Sequence, residues 1–181
     1  MAGQFQQRRG RSRGGPSRER EVKEFEQKVL EVARVTRVTA GGKRMRFRVL
    51  AVIGDGKGRV GSAVAKGSDV SQAITKATTR AKKNMLTIPL INGTIPHSVY
   101  MKLGASKVLL KPAPRGTGII AGGVVRPIME LAGVGNIVSK LLGSRNKLNN
   151  VNATFAALRA LRTDSPSRQA KSRIASTEKI V

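Results

Sequence analysis

Residues 41–61 read GGKRMRFRVLAVIGDGKGRVG, and this stretch predicts a two-stranded β-hairpin. Arginines at 44, 46 and 48 alternate with apolar residues at 45, 47 and 49, which is the period of a strand with one cationic and one apolar face. Residues 50–53 continue the strand as an apolar run. The segment Gly54-Asp55-Gly56-Lys57-Gly58 is typical of a hairpin turn, and residues 59–65 form the return strand.

The segments on either side of this hairpin complete a first module. Upstream we predict a short charged helix over 19–27, an extended stretch over 29–39 and a turn at Gly41-Gly42. Downstream, Asp69 is a candidate helix cap. The apolar residues that follow it at helical spacing are Val70, Ala73, Ile74, Ala77, Ala81 and Met85. The order of helix, three antiparallel strands and helix is compatible with a double-stranded RNA-binding domain.

Pro89 and Asn92-Gly93 mark the start of a second module. We predict strands over 94–103 and 107–113, helices over 125–132, 137–142 and 151–161, and a polar turn over 143–150. Strands followed by helices indicate an α+β layer. The predicted organisation is a disordered Arg/Gly-rich arm (1–20), two domains (21–90 and 91–162) and a flexible tail (163–181).

The charge of the chain predicts a polyanionic partner. The 181 residues contain 35 Lys and Arg against 10 Asp and Glu, a net charge of +25. Between Val32 and Thr163 there are 23 Lys or Arg and only three acids. So much like charge repels itself in a folded domain, and a phosphate backbone relieves that repulsion. With no Trp and one Tyr, the chain offers few rings for stacking on single-stranded bases, which favours a structured partner recognised by shape and phosphate.

Other classes of function receive little support. The chain has no Cys and a single histidine, His97, so neither a thiol site nor a His-rich metal site is expected. Two glycine segments, from Gly56 and from Gly116, match dinucleotide-binding patterns but lack the acid that would bind a ribose. We interpret the first as a hairpin and the second as an RNA-phosphate site or tight packing. A nucleotide-dependent enzyme using Gly116 is the alternative from another class.

No apolar run approaches the roughly 20 residues of a membrane helix. We therefore predict no membrane association, no enzymatic activity and no cofactor.

Basic residues on the predicted strand, turn and helix face define a candidate RNA-binding surface. The nearby glycines allow the backbone to approach phosphate closely and expose its N–H groups as donors. They are Gly41, Gly42, Gly54, Gly56 and Gly58. The basic residues are Lys43, Arg44, Arg46, Arg48, Lys57, Arg59, Lys76, Arg80, Lys82, Lys83, Lys107, Lys111 and Arg115.

Six strings, found in order over about residues 28–161, resemble the fifth protein of the bacterial small ribosomal subunit. They are RVTRVTAGGKRMRF (34–47), GDGKGRVG (54–61), AKKNM (81–85), NGTIPH (92–97), VLLKPAPRGTGIIAGG (108–123) and ELAGV (130–134). The resemblance implies an α+β fold, with an N-terminal double-stranded-RNA-binding-like domain and a C-terminal ribosomal-type α/β sandwich domain.

The same resemblance implies a structural, cytoplasmic component of the small subunit. It would bind 16S ribosomal RNA near the decoding region and the channel through which messenger RNA enters, and would support subunit assembly and translational accuracy. Its expected partners are 16S rRNA, the fourth and eighth small-subunit proteins, and messenger RNA in the channel. The alternative is a free RNA chaperone or translational regulator with the same fold.

The complete predicted rRNA-binding set combines the residue patterns with this resemblance. It contains Arg37, Thr39, Gly41, Gly42, Lys43, Arg44, Arg46, Arg48, Lys57, Arg59, Lys66, Lys76, Arg80, Lys83, Lys111, Arg115, Gly116, Gly118 and Asn146. Residues Thr39, Ala40, Gly41, Gly42 and Lys43 match the family segment linked to spectinomycin sensitivity. The chain departs from the family pattern at Ala40, where Lys is frequent, at 62–65, and at Lys147, where Pro is usual.

Overall fold

The structure is a computed structural model that describes residues 24–162. The predicted arm (1–20) and tail (163–181) lie outside these residues. Within the described range no helix is long and apolar enough to cross a membrane. The elements are β1 (Glu26–Thr39), β2 (Gly42–Gly54), β3 (Arg59–Gly67), α1 (Val70–Lys83), β4 (Met85–Thr87), β5 (Val99–Leu103), β6 (Ser106–Pro112), β7 (Ile119–Ile120), α2 (Val125–Ala132), β8 (Ile137–Gly143) and α3 (Lys147–Arg159).

The first sheet is antiparallel and has the strand order β1-β2-β3-β4. The predicted hairpin, return strand and following helix are confirmed. Of the predicted helix over 19–27, residues 19–23 lie outside the described range, whereas Glu26 and Gln27 belong to β1. These two residues pair with Gly54 and Ile53 of β2, so long-range strand pairing overrides the local helical preference.

Helix α1 covers one face of the first sheet. Val49 and Ala51 of β2 pack there against Ala73 and Ala77 of the helix. The far half of the β1–β2 hairpin extends beyond this helix, and Val38 is 71% exposed. The apolar face predicted for β2 is therefore covered only toward the base of the hairpin.

The second sheet has the order β5-β6-β8-β7, with β7 parallel to β8 and the other pairs antiparallel. The prediction of a helix over 137–142 is wrong, because this segment is strand β8. Ile137 and Ser139 are buried while Lys140 is exposed, and a short apolar run does not by itself distinguish a strand from a buried helix. Helix α3 begins at Lys147, whereas the prediction was residue 151. The first strand of the second module, β5, begins at Val99, whereas the prediction was residue 94.

A single apolar core joins the two sheets. The face of the first sheet opposite α1 presents Leu50 and Val52, which share a buried cluster with Ile128 and Met129 of α2. This cluster continues through β6 and α3. The second module therefore covers the face of the first sheet that α1 leaves open.

The turn between β2 and β3 is hydrogen-bonded to the end of α2. The amide of Gly56 donates to the carbonyl oxygen of Leu131 (3.0 Å), and that of Gly58 donates to Ala132 (2.8 Å). These carbonyls belong to the last turn of α2, where the helix itself supplies no partner. The expectation that these two amides are available to phosphate is therefore wrong.

Two glycines make this joint possible because any side chain would collide with backbone. A Cβ at Gly54 would lie 2.1 Å from the Leu131 oxygen, and one at Gly133 would lie 2.0 Å from the Gly56 oxygen. Gly133 also has a φ of 77°, a left-handed conformation that favours glycine at the end of a helix. The motifs GDGKGRVG and ELAGV thus meet at the junction of the two sheets.

Candidate nucleic-acid interface

Strand register places five predicted RNA-binding cations on one face of the first sheet. Arg37 lies opposite Arg44, and Arg48 lies opposite Lys66, while Arg46 lies between Arg44 and Arg48 on β2. Directly paired residues of an antiparallel sheet point to the same side. We call these five residues the arginine face. It continues outward from the sheet face that packs against α2.

No ion pair neutralises the arginine face, although strand register places Glu31 on the same side of the sheet, opposite Leu50 and diagonal to Arg48. The ion pairs among residues 24–162 are Lys28 with Glu130 and Arg59 with Asp55, so neither involves this face. Like charges directly opposite each other destabilise a sheet, and Arg37 and Arg44 are such a pair. An arrangement that costs folding free energy in isolation is favourable when an anion covers it.

The backbone at the tip of the β1–β2 hairpin is accessible. Ala40 and Gly41 form the turn, and the Thr39 hydroxyl donates a hydrogen bond to the carbonyl oxygen of Gly42 (3.0 Å). No atom lies within 4 Å of where a Cβ would stand at Gly41 or Gly42. Lys43 pairs with Val38 on the opposite side of the hairpin from the arginine face. The RNA and antibiotic roles of this loop stay predictions.

In the turn between β2 and β3, the side chain of Arg59 is paired with an acid of the same turn. Asp55 accepts hydrogen bonds from the Arg59 side chain (2.6 Å) and from the amides of Lys57 (2.8 Å) and Arg59 (3.0 Å). Burial of the carboxyl opposes ionisation, yet these donors outweigh it and lower the pKa of Asp55 to about 2. The Arg59 guanidinium also lies 5.6 Å from the centre of the Phe25 ring. Arg59 therefore has a structural role, whereas Lys57 is exposed.

The predicted cations of α1 lie on the other side of the first sheet. Lys76, Arg80 and Lys83 are exposed, and they line a shallow groove with Thr75 and Thr79. Because α1 covers the sheet face opposite the arginine face, the structure separates these two groups. A single row of phosphates does not reach both.

The glycine segment of the second module does not offer the amides that were expected to bind phosphate. The amides of Gly116 and Gly118 both donate to Oδ1 of Asn136, at 3.1 and 3.0 Å. An anion here would have to displace the Asn136 side chain. The segment also leads into strand β7 before α2 begins, and Lys111 lies on β6, which β8 separates from β7. RNA binding by Lys111, Arg115, Gly116 and Gly118 stays a prediction.

Asn146 has a clear local role as the N-cap of α3. Its Oδ1 accepts a hydrogen bond from the amide of Leu148 (3.0 Å), which satisfies one of the free donors of the helix start. Sequence reasoning missed its neighbours Arg145 and Lys147, which line a cavity beside Leu30 of β1. In the sequence, the only sign of this site was the presence of two basic residues, one on either side of Asn146. Their position beside Leu30 of β1 depends on the tertiary structure.

Comparison with known proteins gives matches over both modules. A family model described as "Ribosomal protein S5, N-terminal domain" matches residues 25–89, and one described as "Ribosomal protein S5, C-terminal domain" matches residues 101–173. The chain is 52% identical over 144 residues to "Small ribosomal subunit protein uS5" of Thermotoga neapolitana, covering 80% of this chain and 81% of that protein. It is 49% identical over 166 residues to the protein of that name from Thermotoga maritima, covering 92% of each.

Proposed function

The chain belongs to the ribosomal protein S5 family, and we propose that it binds 16S ribosomal RNA through the arginine face. As a member of this family it is a small-ribosomal-subunit protein, structural and not enzymatic, and it works in the cytoplasm. The mixed α+β architecture with two sheets agrees with the fold class predicted from the sequence.

The arginine face is the observation that carries the RNA-binding proposal. Alternate residues on a strand are about 6.7 Å apart and neighbouring strands are about 4.8 Å apart. Arg44, Arg46 and Arg48 therefore form a row about 13 Å long, with Arg37 and Lys66 beside it. Such a patch contacts several phosphates and reads shape instead of base sequence.

The finer features follow from the resemblance and from the shape of the hairpin. We place the RNA site near the decoding region and the channel through which messenger RNA enters, with the fourth and eighth small-subunit proteins and messenger RNA as neighbours. The hairpin supports this placement because it extends beyond the rest of the first sheet and carries cations on both faces. Subunit assembly and translational accuracy are the proposed consequences.

We also propose that residues 21–90 and 91–162 are the two domains of the chain. The described strands support this division, because the first sheet ends at Thr87 and the second begins at Val99. The continuous core between the sheets indicates that the two domains act as one body.

The RNA proposal is tested with the double variant Arg46→Ala/Arg48→Ala. We expect weaker binding to a 16S RNA fragment and a slope of log affinity against log salt that falls by roughly one unit per lost phosphate contact. The matched control is Lys102→Ala/Lys140→Ala, which removes the same charge from exposed positions on the second sheet. An equal effect of both double variants would count against a specific site on the hairpin.

Sedimentation separates the ribosomal role from the free chaperone. Protein that co-migrates with small subunits through a high-salt gradient is a subunit component. Protein that is released to the top fractions, and binds unrelated duplexes as tightly as 16S fragments, acts as a chaperone.

A further inference from the structure

The second sheet has an outer face that neither α2 nor α3 covers. Side chains on its inner face, such as Val108 and Leu110 of β6, belong to the core that the sheet shares with α3. Strand register places another set of side chains on the outer face, and none of them belongs to a buried cluster of residues 24–162. We call this set the lysine face. Its members are Tyr100, Lys102, Lys107, Leu109, Lys111, Ile120, Val138, Lys140 and Leu142.

The lysine face differs from an ordinary solvated surface in its apolar content. The solvent side of an antiparallel sheet is normally polar, whereas five of these nine residues are apolar. Tyr100 is 55% exposed, Ile120 is 53% exposed and Leu142 is 42% exposed. Apolar side chains that are exposed together and bordered by charges are typical of an interaction site.

The lysines of this face surround an apolar centre. Leu109 is that centre, because it lies opposite Tyr100 on β5 and opposite Lys140 on β8. Lys107 and Lys111 lie two residues before and after it on β6, about 6.7 Å away in each direction. A ligand that covers Leu109 and Tyr100 therefore meets positive charge on several sides.

The charge of the lysine face favours an anionic partner. The face contains no acid, and Glu130, the one Asp or Glu between residues 70 and 162, pairs with Lys28 between α2 and β1. Lys102 and Lys107 lie directly opposite each other, and like charges in this position destabilise a sheet. A polyanion that covers the face removes this cost.

The exposed ring of Tyr100 distinguishes between kinds of polyanion. An unpaired base stacks on an aromatic side chain, whereas the bases of a duplex are stacked on one another. Lysine carries a flexible point charge that follows a phosphate backbone without fixing its geometry. The arginine face differs in both respects, because four of its five cations are arginines and it has no aromatic ring. The chemistry of the lysine face thus favours a single strand.

We propose that the lysine face binds a segment of single-stranded RNA. One base stacks on Tyr100, a neighbouring base lies over Leu109, and the lysines contact the phosphates on either side. The binding has little sequence preference, because stacking on an aromatic ring accepts every base. The inference stands on the second sheet alone, and only the identification of the strand with messenger RNA rests on the proposed function.

The chain contains its own probe for this site, because Tyr100 is its one tyrosine and it has no tryptophan. The full chain is titrated with an oligouridine of about 12 nucleotides, an unstructured single strand, while tyrosine fluorescence and the anisotropy of the labelled RNA are recorded. We expect quenching of Tyr100 to follow the binding curve given by anisotropy. Unchanged fluorescence when the oligouridine is bound would overturn the inference and leave an acidic, apolar protein surface as the better occupant.

Substitutions test the ring and the lysines separately. Tyr100→Ala should raise the dissociation constant of the oligouridine at least about fivefold, whereas Tyr100→Phe keeps the ring and should change it less than about twofold. Lys102→Ala/Lys140→Ala should also weaken binding and lower its salt dependence. The matched control Arg126→Ala/Arg159→Ala removes the same charge from exposed positions on α2 and α3. Equal weakening by the control would mean that a chain of net charge +25 attracts RNA without a site, and the inference would be overturned.

Titration with a structured 16S RNA fragment separates this inference from the proposed function. Lys102→Ala/Lys140→Ala is the control in that experiment and the test variant in this one, because the two faces bind different forms of RNA. If Arg46→Ala/Arg48→Ala leaves binding of the 16S fragment unchanged while the oligouridine quenches Tyr100, the arginine face fails and the lysine face stands. If that variant loses the 16S fragment while Tyr100 is not quenched, the lysine face fails and the proposed function stands.

Discussion

The substitution Gly133→Ala should strongly destabilise the junction between the two domains. Alanine in the left-handed conformation costs about 1–2 kcal/mol. Its Cβ would also lie 2.0 Å from the Gly56 carbonyl oxygen, so the turn and the end of α2 must move apart by more than an ångström. That movement breaks the bonds from Gly56 to Leu131 and from Gly58 to Ala132.

The two broken hydrogen bonds contribute about 1–3 kcal/mol together. Together with the cost of the left-handed conformation, this loss should lower the free energy of unfolding of Gly133→Ala by about 2–5 kcal/mol. That is a large share of the roughly 5–15 kcal/mol typical of a domain. Urea unfolding followed by far-ultraviolet circular dichroism measures this loss. Hydrogen exchange of the Gly56 and Gly58 amides should also become faster in the variant.

Gly104→Ala is the matched control for this experiment. Gly104 also has a positive φ, 57°, but no atom lies within 4 Å of where its Cβ would stand. It therefore isolates the backbone cost, which we expect to be about 1–2 kcal/mol. Equal losses of stability in Gly133→Ala and Gly104→Ala would refute the reasoning that the domains are held by this close approach.

Three further substitutions test the other contacts. The pKa of Asp55 is lowered from 3.8 to about 2, so its stabilising contribution is complete above pH 3.8 and is lost as the pH falls toward 2. Asp55→Asn should remove this pH dependence and lower the free energy of unfolding by on the order of 1 kcal/mol at neutral pH. Urea unfolding across this pH range measures both effects. Asn146→Ala should lower the free energy of unfolding by about 0.5–2 kcal/mol through loss of the α3 cap, and an unchanged midpoint would contradict the cap assignment. Ile128→Ala should lower the free energy of unfolding by about 2–5 kcal/mol because its side chain is fully buried. Val38→Ala, on the exposed end of the β1–β2 hairpin, should change it by less than about 0.5 kcal/mol. Equal losses of stability in the two variants would contradict the assignment of Ile128 to the core.

Local patterns predicted the first sheet well because its signals are short in range. Alternation at 44–49 and the turn at 54–58 specified a hairpin, and apolar spacing after Asp69 specified a helix. Helix α2 was predicted with the bounds that the structure has, Val125–Ala132. The charge pattern likewise indicated an anionic partner without any knowledge of the fold.

The errors arose where a partner distant in sequence decides the structure. Ile137–Gly143 is apolar enough for a helix, but β6 and β7 provide hydrogen-bonding edges on either side and make it a strand. The amides of Gly56, Gly58, Gly116 and Gly118 looked available for phosphate until the fold supplied Leu131, Ala132 and Asn136 as acceptors.

The sequence by itself determined the strong local elements, the cationic character of the surface and the resemblance to a ribosomal family, because each is encoded by neighbouring residues. Only the tertiary structure decided which cations share a face. Strand register brings Arg37, Arg44, Arg46, Arg48 and Lys66 together, while packing turns the α1 cations to the other side. The cavity beside α3 also exists only in the fold, because Lys147 meets Leu30 through the packing of one domain on the other.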